Sequence, residues 1–236
     1  MSVFRFPIFL RTLVLLCAIV IASPAIAEVA GKVKSDIPDT PSENPKPAQV
    51  SAFSTDEIEG FDDYSPILKK LVTYASELTR QNLTYTFASS DPANGGMDCS
   101  GTIYHLLNHG GVKEPPRQSD EMCRWVMRHS VLHRTEKATS LSTPLFSSLK
   151  PGDLLFWTGT YEASLQRTPP ITHVMIYLGK RKADGKPIVF GASDGRSYDG
   201  QRRCGVSVFD FVLPKKDGKA AFYGYGEIPG LKNASS

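Results

Sequence analysis

The sequence predicts an α+β domain, and three observations carry that expectation. Apolar residues recur at helical spacing through the first half of the folded region. After about residue 149 the pattern changes to short apolar or aromatic runs bounded by Gly, Pro, Asp and Lys. Helices first and strands second argues for an antiparallel sheet packed against leading helices.

At the N-terminus, Arg5 and Arg11 precede an apolar run over residues 12–22, and Ser23-Pro24-Ala25-Ile26-Ala27 closes it with small residues at Ala25 and Ala27. That is the pattern a signal peptidase cuts, so residues 1–27 are expected to be a signal peptide and the mature chain to start at Glu28. The run is about 11 residues against the roughly 20 needed to cross a bilayer as a helix, so no membrane anchor is expected after cleavage. Cys17 follows Leu16, where a lipid-attachment signal wants a small residue, and is expected to leave with the signal peptide. The expected location is therefore the periplasm or the extracellular space. Cleavage takes two of the 27 Lys+Arg and none of the 24 Asp+Glu, leaving a net charge of +1, which argues against nucleic-acid binding by charge. Cys99, Cys123 and Cys204 remain, an odd number that permits one disulfide and one free thiol in an oxidising compartment. If Cys99 stays reduced, Cys123 and Cys204 are the pair left for a disulfide.

Residues 28–62 are rich in proline and charge and poor in large apolar groups, and are expected to form a flexible tether. The folded domain is expected over residues 63–230. It opens with a helix capped by Ser65, with Pro66 in its first position and Ile67, Leu68, Leu71, Val72, Ala75 and Leu78 on one face. A second helix is expected from Cys99 or Ser100 to Gly110-Gly111, with Ile103, Tyr104, Leu106 and Leu107 inward. A third starts near Ser119, with Asp120 and Glu121 in its first turn and Met122, Trp125 and Val126 buried. Strands are expected over 154–157, 174–178, 188–192, 206–211 and 221–228.

Two residues stand out chemically. Cys99 lies directly before the second helix, where the positive end of the dipole and unpaired amides favour a thiolate and can stabilise an anionic intermediate. His173 begins an apolar strand, where a neutral imidazole can face a helix N-terminus and take a thiol's proton. Read alone, each is more commonly a packed structural residue. The other histidines fall in or near predicted helices.

Four blocks in order, Asp98-Cys99-Ser100-Gly101, Pro116-Arg117-Gln118-Ser119, Leu149-Lys150-Pro151-Gly152-Asp153-Leu154-Leu155-Phe156 and His173-Val174-Met175-Ile176-Tyr177-Leu178-Gly179, resemble the landmarks of NlpC-type peptidases. The resemblance implies a papain-like fold and hydrolysis of bacterial peptidoglycan stem peptides, most often between D-γ-glutamate and a diamino acid. It implies Cys99 as nucleophile, His173 as general base and Tyr85 as a donor to the oxyanion. Peptidoglycan or muropeptides are the expected partner, and neither a metal nor an organic cofactor is expected. Asp98, Ser100 and Arg117 resemble groove positions: Asp98 can hold a free amine and Arg117 a carboxylate, although Asp98 and Ser100 equally suit a helix cap and Arg117 a braced loop. Asp153 is read as a turn residue.

The pattern departs from the family after the histidine. A polar third residue, often His, is usual in the next strand, but the stretch here reads Ile188-Val189-Phe190-Gly191-Ala192-Ser193, with Gly191 at that position. Alternation puts Ser193 on the same face as Gly191, so Ser193 is the expected side-chain substitute, ahead of Asp194. The alternatives are an amidase or acyltransferase on the same scaffold, a wall-binding protein of weak or no activity, and a structural domain with a disulfide through Cys99. Loops 158–172, with Arg167, and 194–203, with Arg196, Arg202 and Arg203, are candidate rims for acidic peptide groups.

Overall fold

A computed structural model describes residues 46–136, 138–163 and 167–231. The expected signal peptide and the first part of the expected tether lie outside the described residues.

Three helices lead. Helix α1 (Pro66–Thr79) starts where Ser65 Oγ accepts from the Leu68 amide, and buries Leu68, Leu71, Val72, Ala75 and Leu78 on one face. Helix α2 (Cys99–Gly110) is capped by Asp98 and ends at Gly111, whose φ of 82° is left-handed. It lies close against α1: a Cβ on Gly110 would come within 2.3 Å of Leu71 Cδ2. Helix α3 (Ser119–His129) opens with a capping box of Gln118 and Glu121. Met122, Cys123 and Val126 are buried there, whereas Trp125, expected inside, is only half-buried.

Two short strands, β1 (Thr84–Tyr85) and β2 (Gly96–Met97), pair in parallel between α1 and α2. The main sheet holds β3 (Leu132–Arg134), β4 (Leu154–Thr158), β5 (Ile171–Lys180), β6 (Pro187–Ser193), β9 (Gly205–Asp210) and β10 (Ala221–Gly226). A small ribbon of β7 (Ser197–Tyr198) and β8 (Gln201–Arg202) lies between β6 and β9 in the chain. The order across the main sheet is β3-β10-β4-β5-β6-β9, with every neighbouring pair antiparallel. The expected α+β class holds.

Both faces of this sheet are covered, which explains why its strands read as continuous apolar runs rather than alternating ones. Val174, Ile176, Leu178, Phe190, Val206 and Val208 join the helices in the main core. Leu155, Trp157, Met175, Tyr177, Val189 and Phe209 face the other way and pack with Phe146, Phe211, Phe222 and Tyr225. Phe146 comes from the loop after β3, which Tyr225 anchors by donating to the Leu145 carbonyl at 3.0 Å.

The tether expectation fails for residues 46–62. Gln49 exchanges backbone hydrogen bonds with Cys204 at 2.8 and 3.0 Å, and Val208 donates to the Ser51 carbonyl at 3.2 Å. Phe53 and Ile58 are buried in the main core. Composition undercounted this segment because its ordering depends on a distant partner: β9 is the sheet's last strand, and its unpaired edge offers hydrogen bonds that the segment takes.

Cys99, Cys123 and Cys204 are all free and buried. Cys123 lies near Tyr223 of β10, while Cys204 immediately precedes β9. Those strands are four steps apart in the sheet, roughly 19 Å at ~4.8 Å per step. A disulfide tolerates about 7 Å between Cα atoms, so the expected Cys123–Cys204 bridge is excluded by topology.

Candidate active site

Strands β1 and β2 set the position of the thiol. Gly96 opposes Thr84, and a Cβ there would fall 2.3 Å from both the Thr84 and Thr86 hydroxyls, so only glycine lets the strands approach. The next pair, Tyr85 and Met97, brings Tyr85 within two residues of Cys99, the first residue of α2. Cys99 Sγ donates to the Thr172 carbonyl at 3.9 Å, and the Val174 amide also approaches the sulfur. The thiol therefore lies against the peptide groups on both sides of His173.

The helix N-terminus was expected to favour a thiolate, but burial wins. Desolvation first, and the Asp98 charge second, push the Cys99 thiol up to about 11. The Val174 and Ser100 amides and the Tyr85 hydroxyl pull downward without reversing the shift. The same burial, with Cys99 and Asp98 next in size, raises the Tyr85 phenol above its ordinary range.

Asp98 serves as cap and ion-pair partner at once. Its Oδ1 accepts from the Gly101 amide at 2.5 Å and the Ser100 hydroxyl at 3.2 Å. Arg117 grips both carboxylate oxygens, at 3.2 and 2.9 Å, and also donates to Ser100 Oγ at 2.9 Å. The structure thus joins Asp98, Ser100 and Arg117 in one network beside the thiol, and among the described residues Oδ2 has Arg117 as its one hydrogen-bond partner.

His173 is buried at the head of β5, opposite Trp157 of β4, and its ring meets the indole edge-on at a centroid distance of 5.5 Å. Its Nε2 is buried without a hydrogen-bond partner among the described residues. Burial first, and the Arg196 guanidinium second, hold the imidazole well below its usual value. Ser193 is buried and lines the same cavity, but no hydrogen bond joins it to His173 among the described residues. Asp194 points outward into an ion pair with Lys46 at 3.1 Å. Gly191 opposes Met175: a Cβ there would meet Met175 Cγ at 3.0 Å.

Two adjoining lobes make up the site. One, of about 260 Å³, is lined by Cys99, Asp98, Ser100, Arg117 and Arg167. The other, of about 700 Å³, is lined by His173, Ser193, Arg196 and Arg202. Tyr85, Phe87 and Tyr161 border both, and the Phe87 and Tyr161 rings meet edge-on at 6.4 Å. The two loops expected as rims reach the site through Arg167, Arg196 and Arg202, whereas Arg203 lines neither lobe; residues 164–166 of the first loop lie outside the described residues. Sequence reasoning missed Phe87, Trp157 and Tyr161 as site residues. The period-two spacing of Tyr85 and Phe87 was the one signal available, since Trp157 reads as core and Tyr161 as loop.

Residues 82–198 match the model of the NlpC/P60 family, and this stretch of the chain belongs to that family. The family has a papain-like α+β fold and includes cell-wall peptidases; its members are generally cysteine peptidases that act on peptidoglycan. Among solved structures, an NlpC/P60 endopeptidase from Photobacterium damselae subsp. piscicida is similar at 14% identity, over 68% of this chain and 39% of that one, with a TM-score of 0.39. The present chain thus spans less than half of that protein. Comparison with curated proteins finds no match.

Proposed function

We propose that this protein is an exported cysteine peptidase acting in the periplasm or outside the cell, which cuts peptidoglycan stem peptides between D-γ-glutamate and a diamino acid. The observation that carries this reading is the contact of Cys99 Sγ, at the start of α2, with the backbone flanking His173. In the proposed step the thiol proton passes to an imidazole nitrogen as sulfur attacks the amide carbon. The carbonyl π electrons move onto oxygen, where the Cys99 amide, in the first turn of α2 and without a hydrogen-bond partner among the described residues, and the Tyr85 hydroxyl stabilise the oxyanion. Collapse expels the amine, which takes the proton from the imidazolium, and leaves a thioester that water hydrolyses.

An imidazole that accepts at one nitrogen must carry its proton on the other, and that N–H wants a partner. Ser193, buried in the same cavity, is the proposed partner, directly or through water. Asp98, Ser100 and Arg117 line the groove, with Asp98 Oδ2 available to a substrate amine. The test is mass analysis of purified peptidoglycan after incubation with the protein. New fragments ending in γ-linked D-glutamate are expected; release of whole stem peptides from the sugar would assign an amidase instead.

A further inference from the structure

We infer that the lobe beside His173 is a carboxylate subsite, in which Arg196 and Arg202 hold the free α-carboxylate of a γ-linked glutamyl residue next to the bond that is cut. This rests on the peptidase reading above and assigns the feature of the substrate that the site selects.

The lobe is lined by two guanidinium groups, and neither has a carboxylate partner among the described residues. Its one lining carboxylate, Asp194, is turned outward to Lys46. Lys219, also a lining residue, adds to the positive charge, although Glu162 lies 3.8 Å from it. By contrast Arg117, in the neighbouring lobe, is fully engaged with Asp98 and Ser100.

Arg196 is placed to meet a ligand. Its guanidinium carbon lies 4.2 Å from the Trp157 ring centroid, on the indole that also meets His173. Its charge is felt at both Cys99 and His173, so the group lies beside the reacting centre. Burial lowers its pKa to about 10, which still leaves it charged at neutral pH. A half-buried cation without a counter-charge is costly, and the cost falls when an anion enters. Arg202 is fixed by donating to the Asp194 carbonyl at 3.2 Å, and its Nη2 would lie 2.6 Å from a Cβ on Gly195, so the turn is shaped around this side chain.

The chemistry of a γ-glutamyl bond fits this charge. Its carbonyl carbon is the side-chain carboxyl, so the α-carboxylate remains free four carbon–carbon bonds away. An α-linked peptide with an uncharged side chain at that position has no anion at that place. A guanidinium can grip such a carboxylate through two parallel hydrogen bonds.

The test compares kcat/KM for L-Ala-γ-D-Glu-diaminopimelate and for the same peptide with its glutamyl α-carboxyl as the carboxamide. Charge-assisted hydrogen bonds of about 1.5–3 kcal/mol correspond to roughly a tenfold to hundredfold preference for the carboxylate peptide. Arg196→Gln is expected to abolish that preference, mainly by raising KM for the carboxylate peptide. Arg196→Lys, which keeps the charge but loses the fork, should fall between. Equal rates on the two peptides in the parent protein would overturn the subsite, as would an Arg196→Gln variant that slows both equally, since Arg196 would then act on the thiol. If the parent cuts neither peptide, the peptidase reading fails and calorimetry with L-Ala-γ-D-Glu and its carboxamide decides the subsite separately. Tighter binding of the carboxylate form, lost in Arg196→Gln, is expected; equal affinities would overturn the proposal.

Discussion

Cys99 and His173 occupy surroundings that keep both neutral at rest, and this sets the pH behaviour. Burial raises the thiol to about 11 and depresses the imidazole, so the resting pair is thiol and imidazole rather than thiolate and imidazolium. Alkylation of Cys99 by iodoacetamide should therefore be slow at pH 7 and rise about tenfold per pH unit toward about pH 11. A plateau already reached by pH 8 would show a thiolate that burial does not permit. The acid limb of kcat/KM should lie below the ordinary histidine value of 6.5, because a depressed pKa keeps the base unprotonated further into acid. The motif blocks put Cys99 and His173 forward together, and the structure sets the thiol against the backbone flanking His173; their ionisation was not legible, since desolvation is a property of packing that sequence spacing does not reveal. Gly191 carries a related lesson. A histidine is usual at that position in the family, yet here its Cβ would press on Met175 inside the second core layer. Gly191→His should lower stability by about 1–3 kcal/mol in denaturant unfolding and bring no gain in rate. Higher turnover with unchanged stability would mean that the sheet accommodates the ring.

At the scale of elements, the helices were the most readable part. Ser65-Pro66, Gly110-Gly111 and Asp120-Glu121 are local signals whose physics acts within one turn, and α1, α2 and α3 start and stop near them. The long strands were readable as apolar runs, whereas β1, β2, β7 and β8 span only two residues each and carry no periodicity. The segment preceding α1 was misread for a different reason: its order comes from the edge of β9, far along the chain. Phe53 is the anchor of that segment. Its ring lies in the main core, and its carbonyl accepts from Ser76 Oγ at 2.7 Å and from Arg80 at 3.0 Å. Phe53→Ala should cost about 3–5 kcal/mol of unfolding free energy. A loss below about 1 kcal/mol would restore the view of residues 46–62 as a loose tether.

Across the molecule, the sheet does two things for the site. Its central strands β4 and β5 bring Trp157 and His173 side by side, and α2, packed on β5 and β6, delivers Cys99 to the same strand end. Its width separates Cys123 from Cys204 and leaves the three thiols independent, so chemical modification of Cys99 needs no exchange with a disulfide partner. The charge of the second lobe was only partly legible: the arginines of loop 194–203 were visible as a cluster, but which of them face His173 depends on how the β7–β8 ribbon folds back. In the proposed reaction the sulfur of Cys99 is the attacking atom. The most direct measurement is the turnover of muropeptides by the parent protein and by Cys99→Ala, followed by mass analysis and paired with thermal unfolding of both. Hydrolysis by the parent, none above background by the variant, and closely similar unfolding temperatures are expected; a folded Cys99→Ala that still cleaves muropeptides at the parent rate would rule out the thiol as nucleophile.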